Sequence, residues 1–175
     1  MNQIKLIDLI YDDIQKVRNW RNSPEISDYM YTDDVISYEQ QESWFNRLIK
    51  DDSQKVWIIE YNSIQIGVAY LYSIKQNFKT CYWGFYIGEK DFRGKGLGNL
   101  IEYQVIDYVF NRLFFNKLLC EVLEFNYAVI KLHEKYGFRR EGFFREHILK
   151  NNQFLNVVSL GLLKSEWVKL NKNFN

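Results

Sequence analysis

The chain reads as a mixed α/β fold of the α+β kind, with a central, mostly antiparallel sheet of about six to seven strands and about four helices. Three observations lead there. Short β-branched and aromatic runs come in groups rather than alternating strictly with helices. Two of the gaps between such runs, Asn62-Ser63 and Asn151-Asn152, are two-residue hairpin turns. A glycine-dense turn at residues 93 to 98 joins one strand directly to a long helix.

Each element follows from its own pattern. Residues 3 to 10 alternate as a strand, and Asp12 and Asp13 then set acid at the positive start of a helix that Pro24 bounds downstream. On that helix Ile14, Val17 and Arg21 share a face. Since Ile14 and Val17 point inward, Arg21 is drawn inward with them. A buried guanidinium needs an anionic or hydrogen-bonding partner, unless it snorkels to the rim. Ser37 followed by Gln40 is a capping box, and it opens a helix whose inward face holds Gln41, Trp44, Phe45 and Leu48. Residues 55 to 61 and 64 to 72 form a hairpin, and residues 80 to 87 a third central strand. After the glycine turn, Leu97, Ile101, Val105, Val109 and Leu113 recur at helical spacing, which is a core-packing stripe. Residues 117 to 123 form a strand, residues 127 to 136 a packed helix, and two last strands pair across Asn151-Asn152.

Length and composition set bounds. The 175 residues fit one domain over 1–175 with a single sizeable core. A formal charge of +1, with no block of like charges, gives no broad footprint for nucleic acid, so the ligand is expected to be small. Cys81 and Cys120 sit in apolar runs as small buried thiols, too few for a disulfide framework, which fits a reduced, cytoplasmic setting. The N-terminal stretch alternates apolar and charged residues rather than forming a signal core, and no apolar run spans a membrane. An aromatic share of 18% is enough to line a ligand site as well as the core. No metal is called for, and self-association as a homodimer is left open.

The turn Arg93-Gly94-Lys95-Gly96-Leu97-Gly98 carries the first chemistry. The first N–H groups of a helix have no partner within it and sit at the positive end of its dipole, so an anion satisfies them. Gly94, Gly96 and Gly98 let a pyrophosphate approach the backbone, and Arg93 and Lys95 add charge. The glycines fall at alternate positions, unlike the G-x-G-x-x-G dinucleotide fingerprint, and Gly96 stands where a P-loop needs Ser or Thr. What remains is Arg-x-x-Gly-x-Gly, which resembles the acetyl-coenzyme A pyrophosphate loop of the GNAT N-acetyltransferases.

A second segment, Asn126-Tyr127-Ala128-Val129-Ile130-Lys131-Leu132-His133-Glu134-Lys135-Tyr136-Gly137-Phe138, resembles the second motif of that family. The resemblance implies two strands that splay apart around acetyl-coenzyme A. In that arrangement Phe85, Tyr86 and Ile87 lie along the pantetheine arm, residues 93 to 98 on the pyrophosphate, and Asn126 and Lys131 against the rest of the cofactor. Further segments are similar to one branch, the UDP-4-amino-4,6-dideoxy-N-acetyl-β-L-altrosamine N-acetyltransferases of pseudaminic acid biosynthesis. They include Trp20-Arg21-Asn22-Ser23-Pro24-Glu25, Tyr29-Met30-Tyr31-Thr32, Tyr82 to Gly88, Asn116 to Val122 and Glu141 to His147. This implies a UDP-amino-sugar acceptor held by Arg21 and Tyr86, with Gln41, Met30 and Tyr72 nearby. Gln41 and Asn156 depart from the branch, which commonly has His and Asp there; Gln41 cannot titrate.

Acetyl transfer to an amine needs a neutral amine, a polarised thioester carbonyl and a stabilised leaving thiolate. Glu121 shares a strand face with Leu119 and Leu123 and is placed to act as base through water, or else is an ion-paired strand residue. By resemblance His133 stands where many members of the family carry a Tyr that protonates the departing sulfur, with Tyr136 as the second choice. A protein N-terminus or a polyamine is the alternative acceptor, and either would favour an acidic groove. A domain that binds acyl-coenzyme A as a sensor, without turnover, is the alternative from another class.

Overall fold

A computed structural model describes residues 4–171. Residue 3, the start of the first expected strand, lies outside them. Strand β1 (Ile4–Asp8) leads through a single 3-10 turn at Tyr11–Asp13 into α1 (Ile14–Asn22), followed by α2 (Pro24–Ser27) and α3 (Tyr38–Leu48). Strands β2 (Lys55–Tyr61), β3 (Ile64–Lys75) and β4 (Thr80–Ile87) precede α4 (Leu97–Asp107). The chain closes with β5 (Lys117–Leu123), α5 (Tyr127–Lys135), β6 (Arg139–Lys150), β7 (Gln153–Leu163) and α6 (Lys164–Asn171). The described residues thus hold six helices rather than about four. Pro24 both ends α1 and occupies the first turn of α2, where its missing N–H costs nothing. Helix α6 buries Trp167 against Tyr103 and Tyr136, a tertiary reward its mixed sequence does not advertise.

The seven strands form one sheet in the order β1-β2-β3-β4-β5-β7-β6. All neighbours are antiparallel except β4 and β5, which run parallel. Both hairpin turns are as expected: Asn62, Ser63, Asn151 and Asn152 all have positive φ, which matches the twist of the flanking strands. The Ser37 capping box also forms, with Gln40 N–H donating to Ser37 Oγ at 3.2 Å and Ser37 N–H donating to Gln40 Oε1 at 2.7 Å.

Two cores lie on opposite faces. The larger gathers Trp57, Leu71, Trp83, Leu118 and Leu160 from the sheet with Ile101, Val105 and Phe110. A π-helical turn at Tyr108–Arg112 extends α4 and buries two consecutive residues, Val109 and Phe110. The smaller core sets Val17, Trp20 and Ile26 against Ile58, Val68 and Tyr86. Strand alternation along β4 therefore sends Trp83 and Phe85 to one core and Tyr86 to the other.

The segment between α2 and α3 is clamped at both ends. Asn22 pairs with the Ile36 backbone through Nδ2–H to Ile36 O and Ile36 N–H to Oδ1, both at 2.9 Å. At the other end the buried Lys150 ammonium donates to the carbonyls of Ser27 and Met30, and Asn151 N–H donates to Asp33 Oδ2 at 2.8 Å. Burial lowers the Lys150 pKa. Two carbonyls and a carboxylate thus tie residues 27 to 33 to the tip of the β6–β7 hairpin.

Lys150→Met is expected to strip the Met30 carbonyl of its ammonium donor and to leave the Ser27 carbonyl with only the Met30 N–H at 3.0 Å, to cost about 2 kcal/mol of unfolding free energy, and to speed hydrogen exchange at the Tyr29 and Met30 amides; urea titration and exchange mass spectrometry measure both. A Cβ on Gly67 would collide with the Tyr86 carbonyl oxygen and stand 2.9 Å from Ile87 Cα. Gly67→Ala is therefore expected to push β3 off β4 and to cost about 2–3 kcal/mol in urea unfolding.

Candidate active site

Strands β4 and β5 pair only over Thr80–Lys117, Cys81–Leu118 and Tyr82–Leu119. Beyond that point β4 stays with β3 as far as the Ile87–Gly67 pair, and β5 stays with β7 as far as the Leu123–Val157 pair. The two strands part, as the family resemblance implied. A cleft of about 270 Å³ opens between them, lined by Phe85 and Ile87 on one side, Glu121 and Val122 on the other, and Asn126 at the head of α5. The edges facing it keep backbone N–H and C=O groups without strand partners.

The glycine turn closes one end of the cleft. Gly94 and Gly96 have φ of +71° and +77°, a left-handed conformation that glycine adopts without cost. Nothing lies within 4 Å of where a Gly94 side chain would stand, so the concavity above it is open. No side chain caps the start of α4. Arg93 turns back and braces this geometry, donating from Nε to Ile87 O at 2.8 Å and from Nη2 to Gly88 O at 2.6 Å. Trp20 supports it from the opposite core: a Cβ on Gly88 would stand 2.6 Å from Trp20 Cδ1, and the indole N–H donates to Glu89 Oε1 at 3.1 Å. Lys95 lies over the Phe92 ring, Leu97 is buried, and Gly98 packs against Leu132 and Phe85. Asn126 makes no side-chain capping bond among the described residues and lines the cleft. Lys131, by contrast, pairs with Glu134 at 2.7 Å on the exposed side of α5. An open glycine cradle, an uncapped helix start and an unpaired strand edge fit the diphosphate and the amide-bearing arm of coenzyme A.

A second cavity, of about 530 Å³, lies on the other side of β4. Arg21, Gln41, Tyr70, Tyr72, Tyr86 and Met30 line it. Arg21 does reach inward, and its only hydrogen bond among the described residues is from Nη2 to Thr32 Oγ1 at 3.2 Å. Burial lowers its pKa, and the Tyr86 and Tyr70 phenols stand beside it. Gln41 is 4% exposed, with no side-chain hydrogen bond among the described residues. Burial pushes the Tyr70 and Tyr86 phenols up, so both stay neutral donors at neutral pH.

Glu121 belongs to both cavities, as do Tyr29, Met30, Tyr31, Tyr70 and Tyr86. Its partner is Tyr31, whose hydroxyl donates to Oε2 at 3.0 Å. Burial and the adjacent carboxylate raise the Tyr31 phenol's pKa, so it remains a hydrogen-bond donor. His133 also lines the cleft. It is 2% exposed, and its Nδ1 lies 2.8 and 3.0 Å from the two carboxyl oxygens of Glu102, which is 0% exposed. Tyr136 lines neither cavity; its hydroxyl donates to Asn99 O at 2.9 Å and its ring lies against Trp167.

Three residues at the site escaped sequence reasoning. Tyr31 enters the sequence reading only as part of the Tyr29-Met30-Tyr31-Thr32 segment, with no role given, and Tyr70 is an unremarked aromatic in an aromatic-rich chain. Glu102 carries a signal that could have been used, because it shares a buried face of α4 with Ile106 and Val109 and a carboxylate on such a face needs a partner.

Comparison with known proteins agrees with the geometry. Residues 3–139 match the family model described as an acetyltransferase (GNAT) domain. Spermidine N(1)-acetyltransferase of Vibrio cholerae is 24% identical over 95% of this chain and 96% of its own length. The acetyltransferase PseH of Campylobacter jejuni is 29% identical over 72% of this chain and 76% of its own. The structure of the Vibrio cholerae enzyme with CoA and spermine superposes with a TM-score of 0.90 at 24% identity, covering 95% of this chain and 98% of that one. A splayed sheet with a glycine cradle on a helix start, matched by the family model over most of its length, makes this chain a member of the GNAT family, an acetyl-coenzyme A dependent N-acetyltransferase.

Proposed function

We propose that the chain, acting as one domain over 1–175, transfers acetyl from acetyl-coenzyme A to the 4-amino group of UDP-4-amino-4,6-dideoxy-N-acetyl-β-L-altrosamine, a step of pseudaminic acid biosynthesis. One observation carries the choice of acceptor. The acceptor cavity presents a guanidinium, Arg21, with donors left over beyond its bond to Thr32, and among the described residues Glu121 is the only carboxylate lining it. A nucleotide sugar brings phosphates and a uracil ring for that guanidinium and for the free Gln41 amide, whereas a polyamine brings two or more cations and calls for several carboxylates. The likeness to PseH over 72% of the chain points the same way. The likeness to the spermidine enzyme over 95% of the chain favours a polyamine and makes it the second reading. The arrangement of Glu121 and His133 around one cleft speaks against a non-catalytic sensor, and the aromatic, Arg21-bearing cavity speaks against a protein tail.

Acetyl-coenzyme A supplies an activated thioester. Phe85 to Ile87 offer the unpaired backbone of β4 to its arm and to the thioester oxygen, while residues 93 to 98 and Asn126 hold the phosphate end. Lys95 and Lys131 add charge from the rim. Glu121, oriented by Tyr31, stands between the two cavities and accepts the amine proton through water. His133, the cleft-lining candidate, serves as acid in preference to Tyr136, whose hydroxyl is engaged elsewhere. Met30, Tyr72 and Tyr86 shape the sugar site. The reaction belongs in the cytoplasm, in keeping with two free buried thiols, and a homodimer through the exposed Phe143, Leu149 and Phe154 of the β6–β7 hairpin fits the same reading.

Release of free coenzyme A, followed with a thiol reagent, is expected with the UDP-amino sugar and not with spermidine or an N-terminal peptide; release with spermidine alone transfers the assignment to the polyamine reading. Arg21→Met is expected to raise KM for the sugar nucleotide about tenfold or more, equivalent to ~1.4 kcal/mol, with KM for acetyl-coenzyme A unchanged. Glu121→Gln is expected to lower kcat by about 100-fold or more in the same coenzyme A release assay.

A further inference from the structure

The stripe that packs α4 into the core contains one residue with no packing reason to be ionisable. Glu102 is 0% exposed on the inner face of α4, and both of its carboxyl oxygens lie within 3.0 Å of Nδ1 of His133. The imidazole is walled by Trp83 at 5.2 Å and Phe138 at 5.3 Å, ring centre to ring centre. With Nδ1 taken, Nε2 is the ring's remaining polar atom, and the ring lines the cofactor cleft.

We propose that Glu102 is a positioning residue: it and His133 act as one buried unit that holds a proton on Nε2, facing the cleft, for delivery to the departing sulfur. Charge decides this. A Glu102 carboxylate beside a neutral imidazole leaves a net negative charge at a site with almost no exposure, which is costly. One further proton neutralises the unit, whether it is written as carboxylate with imidazolium or as carboxylic acid with the Nε2–H tautomer. Both forms put hydrogen on Nε2. Burial does push the Glu102 carboxyl up, with His133 opposing, which favours keeping that proton at neutral pH.

The step balances. The amine nitrogen forms its bond to the acetyl carbon and gives up a proton toward Glu121; the carbon–sulfur bond breaks, its electron pair goes to sulfur, and sulfur takes the Nε2 proton. The Glu102–His133 unit is left one proton short and regains it from water. Other titratable groups around the unit are the Cys120 thiol of β5 and the Tyr136 phenol beyond α5, both pushed upward, first by burial and then by Glu102 itself. Trp83, Phe138 and Trp167 add no charge. Glu102 and His133 are therefore the hydrogen-bonded ionisable pair of this core that reaches the cleft.

The inference rests on acetyl transfer, with His133 as acid, and is independent of which amine accepts. Nitrogen-15 NMR of histidine-labelled enzyme, free and with coenzyme A, reads it without turnover; the exposed His147 is assigned with a His147→Asn variant. The wild type is expected to show His133 Nε2 protonated at pH 7, and Glu102→Gln to shift its titration downward by about one pH unit or more, because the replacement leaves a buried cation that burial disfavours. The alkaline limb of kcat is expected to move down by the same amount, with at least a tenfold loss of kcat at pH 8 and KM for acetyl-coenzyme A within about twofold. Glu102→Gln placed in a His133→Asn background should add almost no further loss, since Glu102 acts through the ring. If the Gln variant is poorly folded, Glu102→Leu with His133→Phe replaces the pair by apolar bulk and should fold while lacking the alkaline limb. A bare Nε2 at pH 7, a titration unmoved by Glu102→Gln, or additive losses in the double variant would overturn the proposal. Failure of the acceptor assignment looks different, because the wild type then releases no coenzyme A with the sugar nucleotide while the NMR result stands.

Discussion

The structure depends on the parting of β4 from β5. Three residue pairs hold the parallel strands together, and beyond them each follows its outer neighbour, β4 with β3 and β5 with β7. Two strands that each stay paired on one side can afford to lose the pairing between them, and the vacant edges become a binding surface rather than a defect. The cleft that results is bounded by the glycine turn at one end and by Glu121 and Tyr31 toward the other. Without the splay the cradle at Gly94 and Gly96 would face a closed sheet, and Glu121 would be an interior strand residue facing no cavity.

The alternation of β4 gives the site its two sides. Phe85 and Ile87 face the larger core and the cleft between the parted strands, while Tyr86 faces the smaller core and the second cavity. Helices α1 and α3 wall the second cavity with Val17, Arg21, Gln41 and Trp44. Several residues of the Trp20 to Pro24 segment have structural duties there: Trp20 fills the space left by Gly88, Asn22 clamps Ile36, and Ser23 Oγ donates to Trp20 O at 2.8 Å. Arg21, in their midst, keeps most of its donors for the cavity. Lys150 reaches across from the β6–β7 hairpin to hold the far end of the same wall, so this side of the molecule is assembled from segments 120 residues apart in sequence.

Three ionised or ionisable groups stand inside this frame, and their surroundings separate their roles. Glu121 accepts from the Tyr31 phenol, has the Tyr72 and Tyr82 phenols nearby, and has access to both cavities. Arg21 has neutral phenols and open space. Glu102 has His133 as its hydrogen-bond partner, in a core otherwise built from aromatic and aliphatic side chains with the Cys120 thiol close by. Buried ion pairs of this kind add little stability compared with apolar residues of the same volume, so their presence calls for a reason other than packing.

The local code of the chain was readable throughout most of its length. Period-2 and period-3.6 patterns, the Ser37-Gln40 box and the Asn-containing turns place seven strands and the principal helices where the structure has them, because those signals act between residues a few positions apart. The glycine turn was equally legible, since positive φ at Gly94 and Gly96 is a local demand. Helix α6 was not, because its formation is decided by Trp167 docking on residues of α4 and α5. The same holds for the finer site. That Glu121 meets Tyr31 across 90 positions, that Glu102 meets His133 across 31, and that Tyr136 and Lys131 turn away from the cleft depend on how separate elements pack. Residue types and spacing determined what chemistry the chain could carry; side-chain direction in a close-packed interior, which no single segment controls, decided which of those residues carry it.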